Sequence, residues 1–239
     1  MIKVFNDINE LSQYAANLFV ETANQSIAKR RRFLSALSGG NTPMQLYKLL
    51  GDSFHDRVDW THVHFFWGDE RCVPVDDAGN SYGQTKKVLF DKINISDENI
   101  HRVLSELAPD SASREYARTL SGFAESPLAW PRFDLALLGM GDDGHTASLF
   151  PNSPVDVDSP TLAVTANYQG RPANRVTLTE KVLNSSRNIV FLVTGKSKAE
   201  TLNKVINGAY QPEEFPAQRI APTDGNLIWL VNEEAGSLL

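Results

Sequence analysis

The stretch "LLGMGDDGHTASLFP", residues 137–151, carries an apolar run into a glycine-rich turn, two aspartates and a single histidine. An imidazole with a carboxylate two residues away has the makings of a general base. Asp143 can fix the tautomer of His145 by hydrogen bonding, and proton transfer to such a base is worth on the order of 10²–10⁴ in rate. Gly139, Gly141 and Gly144 also match the spacing of a dinucleotide-binding turn. Two acidic side chains then occupy the place where a pyrophosphate must approach bare backbone, and the match lies in mid-chain, outside any opening β-α-β unit. Nicotinamide or flavin binding is therefore not expected. The glycines serve to reverse the loop so that His145 projects from the end of a strand, at the expected start of a helix.

Three other loops carry unusual chemistry. "SGGNTP" (Ser38 to Pro43) follows an apolar strand, so the backbone N–H groups of Gly39, Gly40, Asn41 and Thr42 face outward at a positive helix end. This is an anion seat, with Thr42 as the expected cap and Pro43 in the first turn. "TGKSKA" places Lys196 and Lys198 at another helix start, where cations oppose the dipole and call for a compensating anion such as a phosphomonoester. Arg175 in "NRVTL" opens a strand nearby. "GDERCVP" groups Asp69, Glu70 and Arg71 where a strand becomes a charged loop.

The remaining residues narrow the mechanism. Cys72, the only cysteine, has no partner histidine at a suitable spacing, and one thiol forms neither an internal disulfide nor a cysteine zinc site. His55, His62, His64 and His101 read as structural. The chain has no G-x-S-x-G elbow and no H-E-x-x-H or other tight ligand cluster, so neither a serine acyl-enzyme nor a catalytic metal is expected. What remains is a base, nearby acids, and cations arranged for phosphate.

Positioning those groups requires a particular scaffold. Ile8, Leu11, Ala15, Leu18, Phe19 and Ala23 repeat at three and four, which predicts a helix to about Arg30. "RFLSALSGG", "HVHFFW", "FDLALLGMG", "TLAVTA", "NRVTLT", "NIVFLVTG" and "NLIWLV" read as strands. "PMQLYKLL", Asn80 to Ile93, the run from Ser111, and "KSKAETLNKVING" ending near Gly208 read as helices. Leu135 to Leu138 form a continuous apolar run, as a strand covered on both faces requires. This alternation predicts one α/β domain, residues 1–239, with a single doubly wound, mostly parallel sheet and chemistry in the loops at its carboxyl edge.

The bulk numbers set limits. With 239 residues and 41% hydrophobic content the chain can bury its own core, and a net charge of −6 argues against general nucleic-acid or membrane-surface binding. The N-terminus lacks a basic stretch followed by a continuous apolar segment, and the cysteine content suits a reducing, cytoplasmic setting.

"LSGGNTP", "FFWGDERCVP" with "NSYG", "LLGMGDDGHTASLFP", "RVTLT" and "FLVTGKSKAE" resemble, in order, the blocks of the 6-phosphogluconolactonases, within the superfamily of the glucosamine/galactosamine-6-phosphate isomerases. The resemblance spans almost the whole chain. It implies a modified Rossmann-like fold of the phosphosugar-isomerase type and hydrolysis of 6-phosphoglucono-δ-lactone in the oxidative pentose phosphate pathway. No cofactor, no metal and no obligate protein partner are implied. Carried over by position, His145 is the base that activates water and Asp143 supports it. Arg71 and Asp69 line the sugar pocket. Gly39, Gly40, Asn41 and Thr42 hold the phosphate with Arg175 and Lys198. Asn41 departs from the pattern, standing where a serine is frequent, so an amide N–H replaces a hydroxyl donor. The alternatives are a glucosamine-6-phosphate isomerase/deaminase using Asp69 for proton transfer, and a non-catalytic sugar-phosphate-binding domain. The latter is usually joined to a DNA-binding module, for which a single helix before the first motif strand is too little.

Overall fold

A computed structural model describes residues 1–239. In chain order the main elements are β1 (Ile2–Phe5), α1 (Ile8–Arg30), β2 (Phe33–Leu37), α2 (Asn41–Ser53), β3 (Val63–Trp67), β4 (Asp69–Arg71), α3 (Ser81–Val88) and α4 (Pro109–Ser121). They continue with β5 (Leu135–Leu138), β6 (Thr161–Thr165), β7 (Asn174–Leu178), α5 (Glu180–Asn184), β8 (Asn188–Val193), α6 (Ala199–Asn207) and β9 (Asn226–Asn232). Helix α1 spans the predicted residues. Asp7 caps it by accepting from the N–H groups of Asn9 and Glu10 at 2.7 and 2.9 Å. It ends where Arg31 turns left-handed at φ 61°.

Six strands form a parallel sheet in the order β1-β9-β8-β5-β2-β3. Alternate residues of each strand serve opposite faces. Leu34, Ala36, Ala136 and Leu138 pack on one side with Tyr116, Phe133, Phe191 and Trp229, under α4 and α6. Phe33, Leu37, Leu135 and Leu137 pack on the other with Leu11, Phe19, Leu46 and Leu50 of α1 and α2. Each such large apolar side chain contributes roughly 1.5–3 kcal/mol when removed from water. That double cover is what the unbroken apolar runs require. No helix is long and apolar enough to cross a membrane.

Beside this parallel central sheet stands a second, antiparallel one, ordered β4-β7-β6. "TLAVTA" and "NRVTLT" are strands, as their alternation predicts, but they pair with each other and with "DER" and do not join the central sheet. The charged loop expected after β3 is therefore partly strand. Gly68 lets the chain leave β3 and start β4, its N–H donating to Leu37 O at 2.7 Å while its carbonyl accepts from Leu178 N at 2.8 Å.

The loops after β2 and β5 leave neighbouring strands, paired through Ser35–Leu135 and Ala36–Ala136. From β2 the chain moves outward to β3, and β5 returns on the opposite side, so the crevice between these loops is the topological switch point. The β4-β7-β6 sheet and the loop after β8 border the same crevice.

Candidate active site

A cleft of about 250 Å³ opens at this switch point. Ser38, Gly39, Gly40, Asn41 and Thr42 line it from the loop after β2, Gly139, Gly141 and His145 from the loop after β5, and Thr194 and Lys198 from the loop after β8. Asp69, Arg71 and Arg175 line it from the antiparallel sheet, and Tyr168, Gln169 and Arg171 from the hairpin between β6 and β7. Nine of the ten residues singled out from sequence thus face one cleft. The tenth, Asp143, is bonded to His145.

His145 is held from several sides. Its Nδ1 lies 2.5 Å from Asp143 Oδ1, and its backbone N–H donates to the same oxygen at 3.1 Å. A carboxylate only accepts, so Nδ1 carries a proton, and in the neutral ring the lone pair is on Nε2. The ring stacks on Phe150 with centroids 4.4 Å apart and meets Tyr168 edge-on at 4.6 Å. Its side chain keeps 12% exposure, which is enough to reach water in the cleft. Burial alone raises the Asp143 carboxyl, but the hydrogen bond and charge of His145 outweigh it and hold the carboxyl below the usual range. Gly141 is required here, because a Cβ at that position would overlap Nδ1 and Cε1 of His145.

No helix follows His145. Residues 146–149 form a tight turn in which Leu149 N donates to Thr146 O at 2.9 Å and Ala147 is left-handed at φ 49°. The turn is fixed by Thr146 Oγ1 donating to Gly139 O at 2.8 Å and by Ser148 Oγ donating to Asp69 Oδ2 at 2.7 Å. These bonds tie the turn to the residue that follows β5 and to Asp69 of β4.

The seat after β2 also differs in detail. Gly40, at φ 109°, is the N-cap of α2 and supplies no side-chain bond, while Thr42 Oγ1 instead meets Thr194 Oγ1 at 2.7 Å. Thr42 therefore ties two loops together and does not cap the helix. Gly39 sits against Ser81 Oγ at the start of α3, with no room for a Cβ.

The antiparallel sheet presents its charges in a costly arrangement. Arg71 and Arg175 are cross-strand partners, and like charges directly opposite destabilise a ladder. Arg175 is 2% exposed, its Nε and Nη2 have no hydrogen-bond partner within the protein, and its nearest carboxylate oxygen is Asp69 Oδ2 at 4.0 Å. Its guanidinium lies over the Phe150 ring at 5.3 Å. Burial, assisted by Arg71 and Arg171, holds its pKa below the ordinary guanidinium value although Asp69 opposes this. Glu70 is turned away from the cleft and accepts from the N–H groups of Arg71, Ser81 and Tyr82, each at 2.8 Å. Burial still pushes its carboxyl up to about 7. Cys72 is raised to about 11, by burial first and then by Glu70, which makes it a poor nucleophile, as its spacing suggested.

Lys198 corrects one inference from sequence. The anion that compensates its place at a helix start is supplied by the protein, since Asp142 Oδ1 lies 2.7 Å from its Nζ. Asp142 also accepts from Ser197 Oγ at 3.1 Å and Gln169 Nε2 at 2.8 Å, joining three loops around the cleft.

Tyr168, Gln169, Arg171 and Ser148 were not singled out from sequence. A signal for the first three existed: two alternating strands flank "NYQGRPAN", so pairing them as a hairpin would have placed this loop at one edge. Ser148 gives no such signal.

A family model described as glucosamine-6-phosphate isomerases/6-phosphogluconolactonase matches residues 6–229. The chain belongs to this family. It is 39% identical over 217 residues to a 6-phosphogluconolactonase of Synechocystis sp., covering 90% of this chain and 88% of that one. It is 38% identical over 205 residues to a 6-phosphogluconolactonase of Haemophilus influenzae, covering 85% and 86%. Among solved structures, the devB protein superposes with a TM-score of 0.90 at 34% identity over 99% of both chains. A 6-phosphogluconolactonase from Thermotoga maritima gives 0.85 at 28% identity over 97% of this chain and 99% of that one. The α/β fold and the family resemblance expected from the motifs are thereby borne out.

Proposed function

We propose that residues 1–239 form one lactonase unit that hydrolyses 6-phosphoglucono-δ-lactone to 6-phosphogluconate, the lactone-opening step of the oxidative pentose phosphate pathway, in the cytoplasm and without a cofactor. The observation that carries this reading is a carboxylate-bound imidazole lining the same cleft as an anion seat and two arginines, Arg71 and Arg175, with guanidinium N–H groups that have no partner within the protein. The names of its relatives support the choice of substrate.

In this mechanism His145 Nε2 removes a proton from water as the oxygen attacks the lactone carbonyl carbon. Negative charge then develops on the carbonyl oxygen, and Arg71, beside Asp69, lies on the wall that can receive it. Collapse of the tetrahedral intermediate breaks the ring C–O bond, and the imidazolium returns its proton to the departing ring oxygen. Asp143 keeps the imidazole oriented and stabilises its charged form. The backbone N–H groups of residues 39–42, with Arg175 and Lys198, hold the phosphate at the other end. This fixes the carbonyl relative to the base and lowers the entropic part of the barrier.

The test is incubation with the δ-lactone and, separately, with glucosamine 6-phosphate, following acid and ammonia release. Acid from the lactone with no ammonia is expected. Ammonia release without acid would overturn the reading in favour of an isomerase/deaminase, and turnover in neither would favour a binding domain.

A further inference from the structure

The charges lining the cleft do not balance within the protein. Arg71, Arg171, Arg175 and Lys198 face a single lining carboxylate, Asp69. Of these cations only two have a carboxylate within ion-pair distance, Lys198 with Asp142 at 2.7 Å and Arg175 with Asp69 at 4.0 Å. With Lys198 neutralised by Asp142, three guanidiniums face one lining carboxylate, Asp69, with the Asp143 carboxylate behind the His145 ring, so positive charge remains in excess. A phosphomonoester carries about −1.5 to −2 at neutral pH, so a single such group offsets the excess. Two of the guanidiniums, Arg71 and Arg175, are the cross-strand pair already described.

The third, Arg171, comes from the hairpin between β6 and β7, and that hairpin is built to stay in place. Arg171 N donates to Tyr168 O at 2.9 Å, and Gln169 and Gly170 are both left-handed, at φ 48° and 67°. Glycine adopts this conformation freely, whereas for Gln169 it is strained and must be held by surrounding contacts. Two of those contacts converge on Asp142, whose side chain accepts from the Gln169 amide at 2.8 Å and whose N–H donates to Tyr168 Oη at 3.1 Å. A solvated arginine on an ordinary hairpin tip needs no such anchoring. Arg171 and Arg175 line the same cleft, and repulsion between them contributes to the lowered pKa of Arg175.

We propose that Arg171 is a substrate-binding residue that completes the phosphate seat and makes the site select phosphorylated over unphosphorylated lactones. This rests on the lactonase reading above and names a specificity determinant for it. Arg171 is exposed, so its replacement leaves the packed core untouched.

The experiment compares the wild-type chain with R171A and R171K on 6-phosphoglucono-δ-lactone and on unphosphorylated glucono-δ-lactone, alongside calorimetric titration with inorganic phosphate. A charge-assisted hydrogen bond lost at this position raises KM for the phosphorylated lactone in R171A by about 10- to 100-fold. Turnover stays within about threefold, R171K recovers part of the loss, hydrolysis of the unphosphorylated lactone is unchanged, and phosphate affinity falls by a similar factor. Unchanged KM and phosphate affinity in R171A would overturn the proposal, as would an equal loss on both lactones. If the wild-type chain hydrolyses neither lactone, the reaction assignment fails, while the phosphate titration still decides the role of Arg171.

Discussion

The parallel sheet and the antiparallel sheet meet at one cleft but contribute different kinds of group. From the parallel sheet come backbone N–H groups, glycines and the His145–Asp143 pair, all in loops that follow strands β2, β5 and β8. From the antiparallel sheet come long cationic side chains, Arg71, Arg171 and Arg175, with Asp69 among them. In the first region the strands that carry these loops, β2, β5 and β8, are buried on both faces. The second concentrates like charge that the fold itself does not neutralise. In the proposed mechanism the base comes from the parallel sheet alone. The phosphate is held from both sides, by the backbone N–H groups of residues 39–42 and by the guanidiniums of the antiparallel sheet, and the two contributions can be separated by experiment.

The largest separation is expected from His145→Ala, which should lower kcat by at least about 100-fold with little change in KM, measured by steady-state lactone hydrolysis. A comparable rise in KM would show that the imidazole also holds the substrate. Arg175→Ala should do the reverse, raising KM for phosphorylated lactone about 10- to 100-fold with a smaller change in kcat. It should also cost on the order of 2–3 kcal/mol of stability in denaturant unfolding, because Asp69, 6% exposed, loses its buried counter-charge and keeps only its bond from Ser148.

Gly141→Ala sharpens the comparison within the parallel region. The added Cβ displaces the imidazole without removing it, so kcat should fall about tenfold while phosphate affinity is unchanged. The smallest effect concerns acid stability. The Asp143 carboxyl is held below its ordinary range, so its contribution to stability is present above that range and is lost as pH falls through the depressed value. The side chain is one-third exposed, so the loss is a few tenths of a kcal/mol. Thermal unfolding of Asp143→Asn should lack this acid-side decline, and an identical pH dependence in both proteins would show that the pair does not stabilise the fold.

Much of the parallel region was legible in the residue order. The three-and-four spacing of α1, the largely apolar runs of β2, β5 and β8, and the glycine turns after them are local patterns with a direct physical cause. They also located His145, Asp143 and the seat at residues 39–42. Local patterns misled where tertiary contacts intervened. Thr42 reads as a helix cap, yet a neighbouring loop offers it Thr194. Lys198 reads as a free cation, yet Asp142, 56 positions earlier in the chain, already pairs with it. The run after His145 reads as a helix, yet the hydroxyls of Thr146 and Ser148 find partners on Gly139 and Asp69 that hold it as a turn.

The antiparallel region was the less legible one because its meaning lies in pairing. "DER", "TLAVTA" and "NRVTLT" are too short to declare which sheet they join, and nothing in their composition sets Arg71 opposite Arg175.

Residue order by itself determined most of the elements, the parallel topology and the candidate base, because periodicity, chirality and turn chemistry act over a few residues. Only the tertiary structure decided which charges are left without a partner. Neutralisation depends on distances of a few ångströms between segments far apart in the chain, and no local pattern records those distances.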